Sequence, residues 1–250
     1  MTRRVLFGVL VALAPVAGLY HFGRRLWEPA YLHLRGKRTV ADVVEEFGPA
    51  AEARLSPHFA RAGLDYPPAR VALVAFKEER RLELWTAETE SAWRFVRSYP
   101  VLGSSGGAGP KLRRGDRQVP EGVYRVEGFN PNSRFHLSMK LDYPNAVDRA
   151  RAAGDGRTGL GGDIFIHGRT ASRGCLAMGD EAIEELFVLV ARVERKNAKM
   201  LIAPCDLRVR PAPALEEAPP WTGQLYDMLR RELEAFPASS KGENDAEETP

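Results

Sequence analysis

The hydrophobic rhythm of this chain changes along its length, and the changes mark its elements. After two arginines in the first four residues, Val5 to Tyr20 run without a charge. A basic start followed by such a run is the pattern of an export signal. The run falls short of the about 20 residues that span a bilayer, and Pro15 interrupts it. Cutting after Ala14 would set Pro15 beside the scissile bond, and cutting after Ala17 leaves no better site. Residues 1–25 are therefore expected to be an uncleaved signal anchor, with a cleaved signal peptide as the alternative. Arg24 and Arg25 on the far side blur the charge rule for orientation.

Residues 26–66 read as a basic juxtamembrane stretch and a small helical prelude. Thr39-Val-Ala-Asp42 resembles a helix cap, and Val40, Val43, Val44 and Phe47 follow at helical spacing. Gly48-Pro49 is expected to end that helix, and Ser56-Pro57 to start another that closes at Gly63. The period then shortens to that of strands: Val71–Phe76, Leu82–Trp85, Trp93–Tyr99, Gly122–Val126, Phe135–Leu141 and Asp163–His167. A helix capped by Asp180 follows, with Ile183, Leu186, Phe187 and Val190 as its apolar stripe. Strands are expected near Lys199–Ala203 and Leu207–Arg210. Residues 213–236 read as a linker and an amphipathic helix bearing Leu225, Met228, Leu229, Leu233 and Phe236. Residues 237–250 form an acidic tail expected to be disordered. Many short strands with few helices predict an α+β fold, mostly β, with a mixed sheet or sandwich and helices at its edges.

Charge alters this picture modestly. The formal net charge is +3 over 250 residues, and the tail sets Lys241 against Glu243, Asp245, Glu247 and Glu248. The body is thus more basic than the total, which suits an anionic partner but is no nucleic-acid signature. Two cysteines, Cys175 and Cys205, exclude a disulfide-rich scaffold and a thiolate zinc site. His21, His33, His58, His136 and His167 show no ligand spacing, so no metal is expected. Gly103–Lys111 (GSSGGAGPK) is no phosphate loop, because Pro110 splits the glycine from the lysine and no hydroxyl residue follows. Asp116 and Glu121 read as structural acids.

The chemistry concentrates in Asp163–Asp180, DIFIHGRTASRGCLAMGD. A free thiol has a pKa of about 8.5 and is mostly protonated at neutral pH. A histidine within reach can take that proton and return it to a leaving amine. Backbone amides beside the nucleophile can hold an oxyanion, and a glycine gives a substrate access to them. His167, Gly174 and Cys175 supply these types in one stretch. Residue types alone leave open a chance pairing of an isolated histidine with an isolated cysteine.

The segment resembles the YkuD family of L,D-transpeptidases, whose signature pairs an upstream His-Gly or His-Ser with [Ser/Thr]-His-Gly-Cys. The match falls on His167-Gly168 and on Ser172, Gly174 and Cys175. Arg173 and Ala177 depart from the commoner motif, and both departures resemble the YafK-like branch. Gly109–Tyr124 and Phe135–Asp148 are similar to two further family blocks, and the likeness covers roughly Thr39 to Arg210. The resemblance implies a catalytic domain at 67–212 that acts on peptidoglycan stem peptides without a cofactor. Cys175 would attack an L-to-D peptide bond and His167 would serve as base and then acid. Gly168 would orient the imidazole through its backbone, and the amides of Gly174 and Cys175 would hold the oxyanion. Arg173 is a candidate for a substrate carboxylate such as that of diaminopimelate. Ser172, Lys111, Tyr143 and Asn145 are further substrate-side candidates, although Tyr143-Pro144-Asn145 also reads as a structural turn. A disulfide between Cys175 and Cys205 would consume the nucleophile. The implied setting is the periplasm, with the inner membrane met through the N-terminal segment and a wall-linked protein as a further partner. A hydrolase on the same scaffold and a non-catalytic wall-binding module are the alternatives.

Overall fold

The computed structural model describes residues 36–89 and 92–238. The expected anchor and most of the acidic tail lie outside the described residues. Among the described residues, those from Val40 onward form one compact unit. Its elements are α1 (Val40–Arg61), β1 (Arg70–Phe76), β2 (Arg81–Ala87), β3 (Arg94–Pro100), β4 (Gly122–Ser133) and β5 (His136–Leu141). There follow α2 (Ala146–Gly154), β6 (Phe165–His167), β7 (Leu176–Ala177), α3 (Asp180–Val193), β8 (Ala198–Ala203) and α4 (Thr222–Leu233).

The eight strands form one mixed sheet in the order β3-β2-β1-β8-β4-β5-β6-β7. β1 and β8 are parallel neighbours at its centre. Both faces of β1 are covered, which is why RVALVAF reads as an unbroken apolar run rather than an alternation. On one face Val71, Leu73, Met200 and Ile202 pack with α1 and α3. On the other, Ala72, Val74, Phe76 and Leu201 pack with Leu225, Leu229, Leu233 and Phe236 of α4 or its end. β4 joins the two halves of the sheet. Gly122–Arg125 pair with β8, whereas Val126–Ser133 pair with β5 across a register shift.

Several expected elements differ from those formed. The prelude is one helix rather than a broken series. Pro49 and Pro57 both lie within α1, on exposed positions, and the Ser56 hydroxyl bonds to Glu52 O at 2.7 Å instead of capping a new helix. A mid-helix proline costs about 3 kcal/mol, and here packing outweighs it. Val43, Ala51, Leu55 and Phe59 are all buried, and Arg54 ties α1 to Glu184 and Glu185 of α3. The strand expected at Leu207–Arg210 is a turn. Arg208 folds back onto Asp206 (2.7 Å) and Glu83 (2.9 Å), and such paired contacts hold it out of an extended ladder. Helix α2 went unrecognised, though Asn145 and Asp148 spell a capping box at its start.

One buried ion pair fixes the long β3–β4 connection against the sheet. Lys77 Nζ bonds to Glu121 (3.0 Å), Gly109 O (2.9 Å), Val119 O (2.9 Å) and Gln118 (3.2 Å), and Glu121 also accepts from Gly109 N at 2.8 Å. The lysine and glutamate side chains are 5% and 0% exposed. Lys77→Met should therefore strand the Glu121 charge and destabilise the fold by about 3–5 kcal/mol in chemical denaturation. The double variant Lys77→Met/Glu121→Leu should recover part of that loss; no recovery would mean that the pair is not the source.

Candidate active site

β6 reads Phe165-Ile166-His167, and Ile166 enters the core. Alternation along a strand then sends Phe165 and His167 to the opposite face. β7 runs parallel, with Leu176 level with Ile166 and Ala177 level with His167, and Leu176 also enters the core. Carried one residue back, the same alternation puts Cys175 on the face of Phe165 and His167. Strands this short hold only because their neighbours do. Ser138 of β5 pairs with His167 on one side. On the other side Gly103 bridges to Ala177, with Ala177 N donating to Gly103 O at 2.8 Å and Leu102 N to Ala177 O at 2.9 Å. A side chain at Gly103 would put its Cβ 2.0 Å from Thr170 O, so this strap admits glycine alone.

Two hydroxyls shape the nucleophile loop. Gly174 has φ +80°, a conformation that favours glycine, and its N–H donates to Ser105 Oγ at 2.7 Å. Ser105 in turn donates to Arg117 O at 2.6 Å. Ser172 Oγ accepts from Cys175 N (3.2 Å) and donates to Cys175 O (2.8 Å). The two amides expected to hold an oxyanion are thus each engaged by a serine. The half-buried thiol accepts from Phe165 N at 3.4 Å and donates to Asp163 O at 3.6 Å. It makes no hydrogen bond to His167, so the structure brings imidazole and thiol to one face without a direct bond between them.

His167 is 3% exposed, and its Nδ1 lies 2.7 Å from Gly168 O. A carbonyl can only accept, so Nδ1 carries the proton and Nε2 keeps a free lone pair. The Gly168 carbonyl thus meets the imidazole, and position 168 admits only glycine: an added Cβ would stand 2.6 Å from Phe135 O and 2.7 Å from Asp180 Oδ1. Burial holds the imidazole below its ordinary range, partly offset by the Gly168 carbonyl, and pushes the Cys175 thiol up, partly offset by Phe165 N–H. Both shifts disfavour the charged forms, so the resting pair is thiol and neutral imidazole.

Three of the substrate-side candidates are engaged within the fold. Lys111 is buried and spends its ammonium on Asp116 (2.5 Å) and Arg113 O (2.9 Å). Asp116 in turn accepts from Leu112, Arg113 and Gln118 amides, and these bonds with Lys111 hold its carboxyl below the usual range despite partial burial. Tyr143 is buried with its hydroxyl near Leu160 O at 3.4 Å. Asn145 caps α2 and bonds to Val123 O at 3.0 Å. Asp180 is the first residue of α3 and its carboxylate accepts from Arg169 N at 2.8 Å, so it fixes the turn after His167 rather than capping its own helix. Arg173 is exposed beside the nucleophile. Ser105, Asp163 and Phe135 escaped the sequence reading. Phe135 sits inside the F-H-L-S block and Ser105 inside the rejected glycine-rich stretch, so both were in view without a role. Among the described residues no group of three His, Cys, Asp or Glu side chains could hold a metal, and both cysteines are free. Cys205 is buried, with its thiol pushed up to about 11 by burial and nearby acids.

Residues 70–201 match the YkuD family model, the L,D-transpeptidase catalytic domain. The chain is 38% identical over 122 residues to YafK of Escherichia coli strain K12, a protein assigned by name to the L,D-transpeptidases. That alignment takes in 48% of this chain and 47% of the relative, so the chain spans about half the length of the curated relatives it matches. Among solved structures, the helical cell shape determining protein Pgp2 of Campylobacter jejuni (K307A mutant) aligns at 20% identity and TM-score 0.45, covering 66% of this chain and 54% of that one. L,D-transpeptidase 1 of Mycobacterium tuberculosis aligns at 12% identity and TM-score 0.32, over 54% and 62% of the two chains.

The neutral resting pair is checked by iodoacetamide alkylation in a Cys205→Ala background. Because only the thiolate reacts and burial disfavours it, the rate should keep rising through the ordinary thiol midpoint of about 8.5. A midpoint below about 7 would mean a preformed thiolate–imidazolium pair instead.

Proposed function

Since the chain belongs to the YkuD family of L,D-transpeptidase catalytic domains, we propose that it is a cysteine acyl-transfer enzyme acting at an L-to-D bond of peptidoglycan stem peptides. The observation that carries this reading is the β6–β7 pairing, which shares one sheet face between the Cys175 thiol and an imidazole whose Nε2 is free. On this reading the thiol leaves Asp163 O and gives its proton to that nitrogen.

Attack then proceeds from neutral partners. The Cys175 proton passes to His167 Nε2 as Sγ bonds to the carbonyl carbon on the L side, giving a tetrahedral oxyanion. Gly168 O, bonded to Nδ1–H, stabilises the imidazolium and fixes the ring. The N–H groups of Gly174 and Cys175 turn from Ser105 and Ser172 to the oxyanion, exchanging one acceptor for a better one. The C–N bond breaks as the imidazolium returns its proton to the departing amine, leaving a Cys175 thioester. An entering amine, or water, gives its proton to His167, attacks the thioester carbon and expels the thiolate, which is reprotonated. Arg173, exposed beside the loop, pairs with a carboxylate of the stem. The enzyme works in the periplasm, held at the inner membrane by its N-terminal segment, where stem peptides are reached without crossing a membrane.

The test is mass spectrometry of disaccharide-tetrapeptide and of cross-linked sacculi after incubation with the enzyme. Cys175→Ala should abolish turnover, and His167→Ala should lower it by about a hundredfold to ten-thousandfold. Cross-linked or amine-exchanged products identify a transpeptidase, and shortened stems alone identify a hydrolase on the same scaffold. Full turnover by Cys175→Ala would end the thiol reading.

A further inference from the structure

Phe135 carries an observation that the acyl-transfer scheme leaves unused. Its ring packs on the His167 ring, with centroids 4.6 Å apart and planes tilted by 38°, yet 44% of the residue remains exposed. It sits in the short turn between β4 and β5, where its N–H donates to Ser133 Oγ at 3.1 Å. Its carbonyl lies so close to Gly168 that no side chain fits between them, which fixes the turn against the base. A phenyl group in such a place could serve only to cover the imidazole. Its free surface says otherwise, since burying that surface would cost nothing in polar contacts and leaving it wet forgoes the gain.

We propose that Phe135 sets which departing amine the site accepts, favouring stems whose terminal D-residue carries an apolar side chain. The proposal rests on the acyl-transfer reading. The proton that His167 takes from Cys175 returns to the departing nitrogen, so the residue bearing that nitrogen must lie against the imidazole. Phe135 is the aromatic wall at that position. Two of its polar neighbours are engaged elsewhere: His136 faces Glu184 at 2.9 Å, and Arg169 pairs with Asp180 at 3.7 Å. A second exposed apolar side chain, Leu102 (47%), lies against Gly179, whose N–H donates to Arg169 O in the turn after His167. Beside the base, the exposed face of Phe135 therefore offers hydrocarbon to the departing residue's side chain. An alanine methyl gains from that contact and a glycine does not, a difference of about tenfold in rate for one methyl on an apolar wall. The entering amine of a transfer passes through the same subsite in reverse and obeys the same preference.

The experiment compares kcat/KM for disaccharide-tetrapeptides ending in D-alanine and in glycine, using the full chain, Phe135→Ala, Phe135→Gln and Phe135→Leu. The unmodified enzyme should favour the D-alanine stem by about tenfold. Phe135→Leu should keep that preference, whereas Phe135→Ala and Phe135→Gln should reduce it to below about threefold, by slowing the D-alanine stem. Cys175 alkylation at an unchanged rate identifies variants whose site is intact, and Phe135→Gln, which keeps the bulk, decides the matter if the alanine variant misfolds. A tenfold preference that survives in an intact glutamine or alanine variant overturns the role of Phe135 and leaves the acyl-transfer reading standing. Failure of the unmodified enzyme to cleave either stem by way of Cys175 overturns that reading, and this inference with it.

Discussion

The site depends on a parallel pairing between two of the shortest strands in the fold. β6 has three residues and β7 has two, and neither would pair alone. Their register decides everything downstream, because a slip of one residue would turn Cys175 into the core and Leu176 out of it. The neighbours remove that freedom. β5 holds β6 from one side, the Gly103 strap holds β7 from the other, and Ile166 and Leu176 lock both into the cluster around α3. The strap is in turn the start of the loop that Lys77 and Glu121 pin to the sheet from beneath. A buried ion pair outside the Cys175 loop thereby steadies the strap beside it.

The same burial that orders the pair also sets its charge state. A thiolate–imidazolium pair would need two charges held in a poorly solvated place, and the shifts at both residues run against it. On the proposed acyl-transfer reading, catalysis then begins from neutral groups, and the proton moves only as the new bond forms. The Nδ1–H to Gly168 O contact is the counterweight: it is made before reaction and strengthens when the ring becomes charged. On the same proposed reading, the serine hydroxyls on the two loop amides play the matching part on the oxyanion side, occupying the N–H groups until a better acceptor arrives.

Much of this was legible in the sequence wherever a residue's role follows from its neighbours. I-F-I-H-G announced a strand ending in a histidine, whereas the glycine before Cys175 was read for access alone and its left-handed backbone angle came with the fold. The apolar stripe of α3 and the buried run of β1 read correctly for the same reason. The α+β class followed from them. What failed depended on distant partners. Lys111 looked like a free cation because Asp116 satisfies it through a loop whose shape no local pattern encodes. Pro49 and Pro57 looked like breaks because the packing that carries α1 through them comes from α3, well over a hundred residues later in the chain. Ser105 reaches Gly174 across 69 positions, and nothing in GSSGGAGPK points to it. Helix α2 was the avoidable miss, since Asn145 and Asp148 form a local capping box.

The central claim, that Cys175 becomes acylated by a wall stem peptide, is tested most directly by acid quenching. The full chain is mixed with disaccharide-tetrapeptide, stopped within the first turnovers, and mapped by peptide mass spectrometry. The account predicts a disaccharide-tripeptide acyl group on the Cys175 peptide, released by hydroxylamine as a thioester should be, and absent from Cys205. Turnover of the stem without any adduct at Cys175 under these conditions, or with an adduct elsewhere, would contradict it.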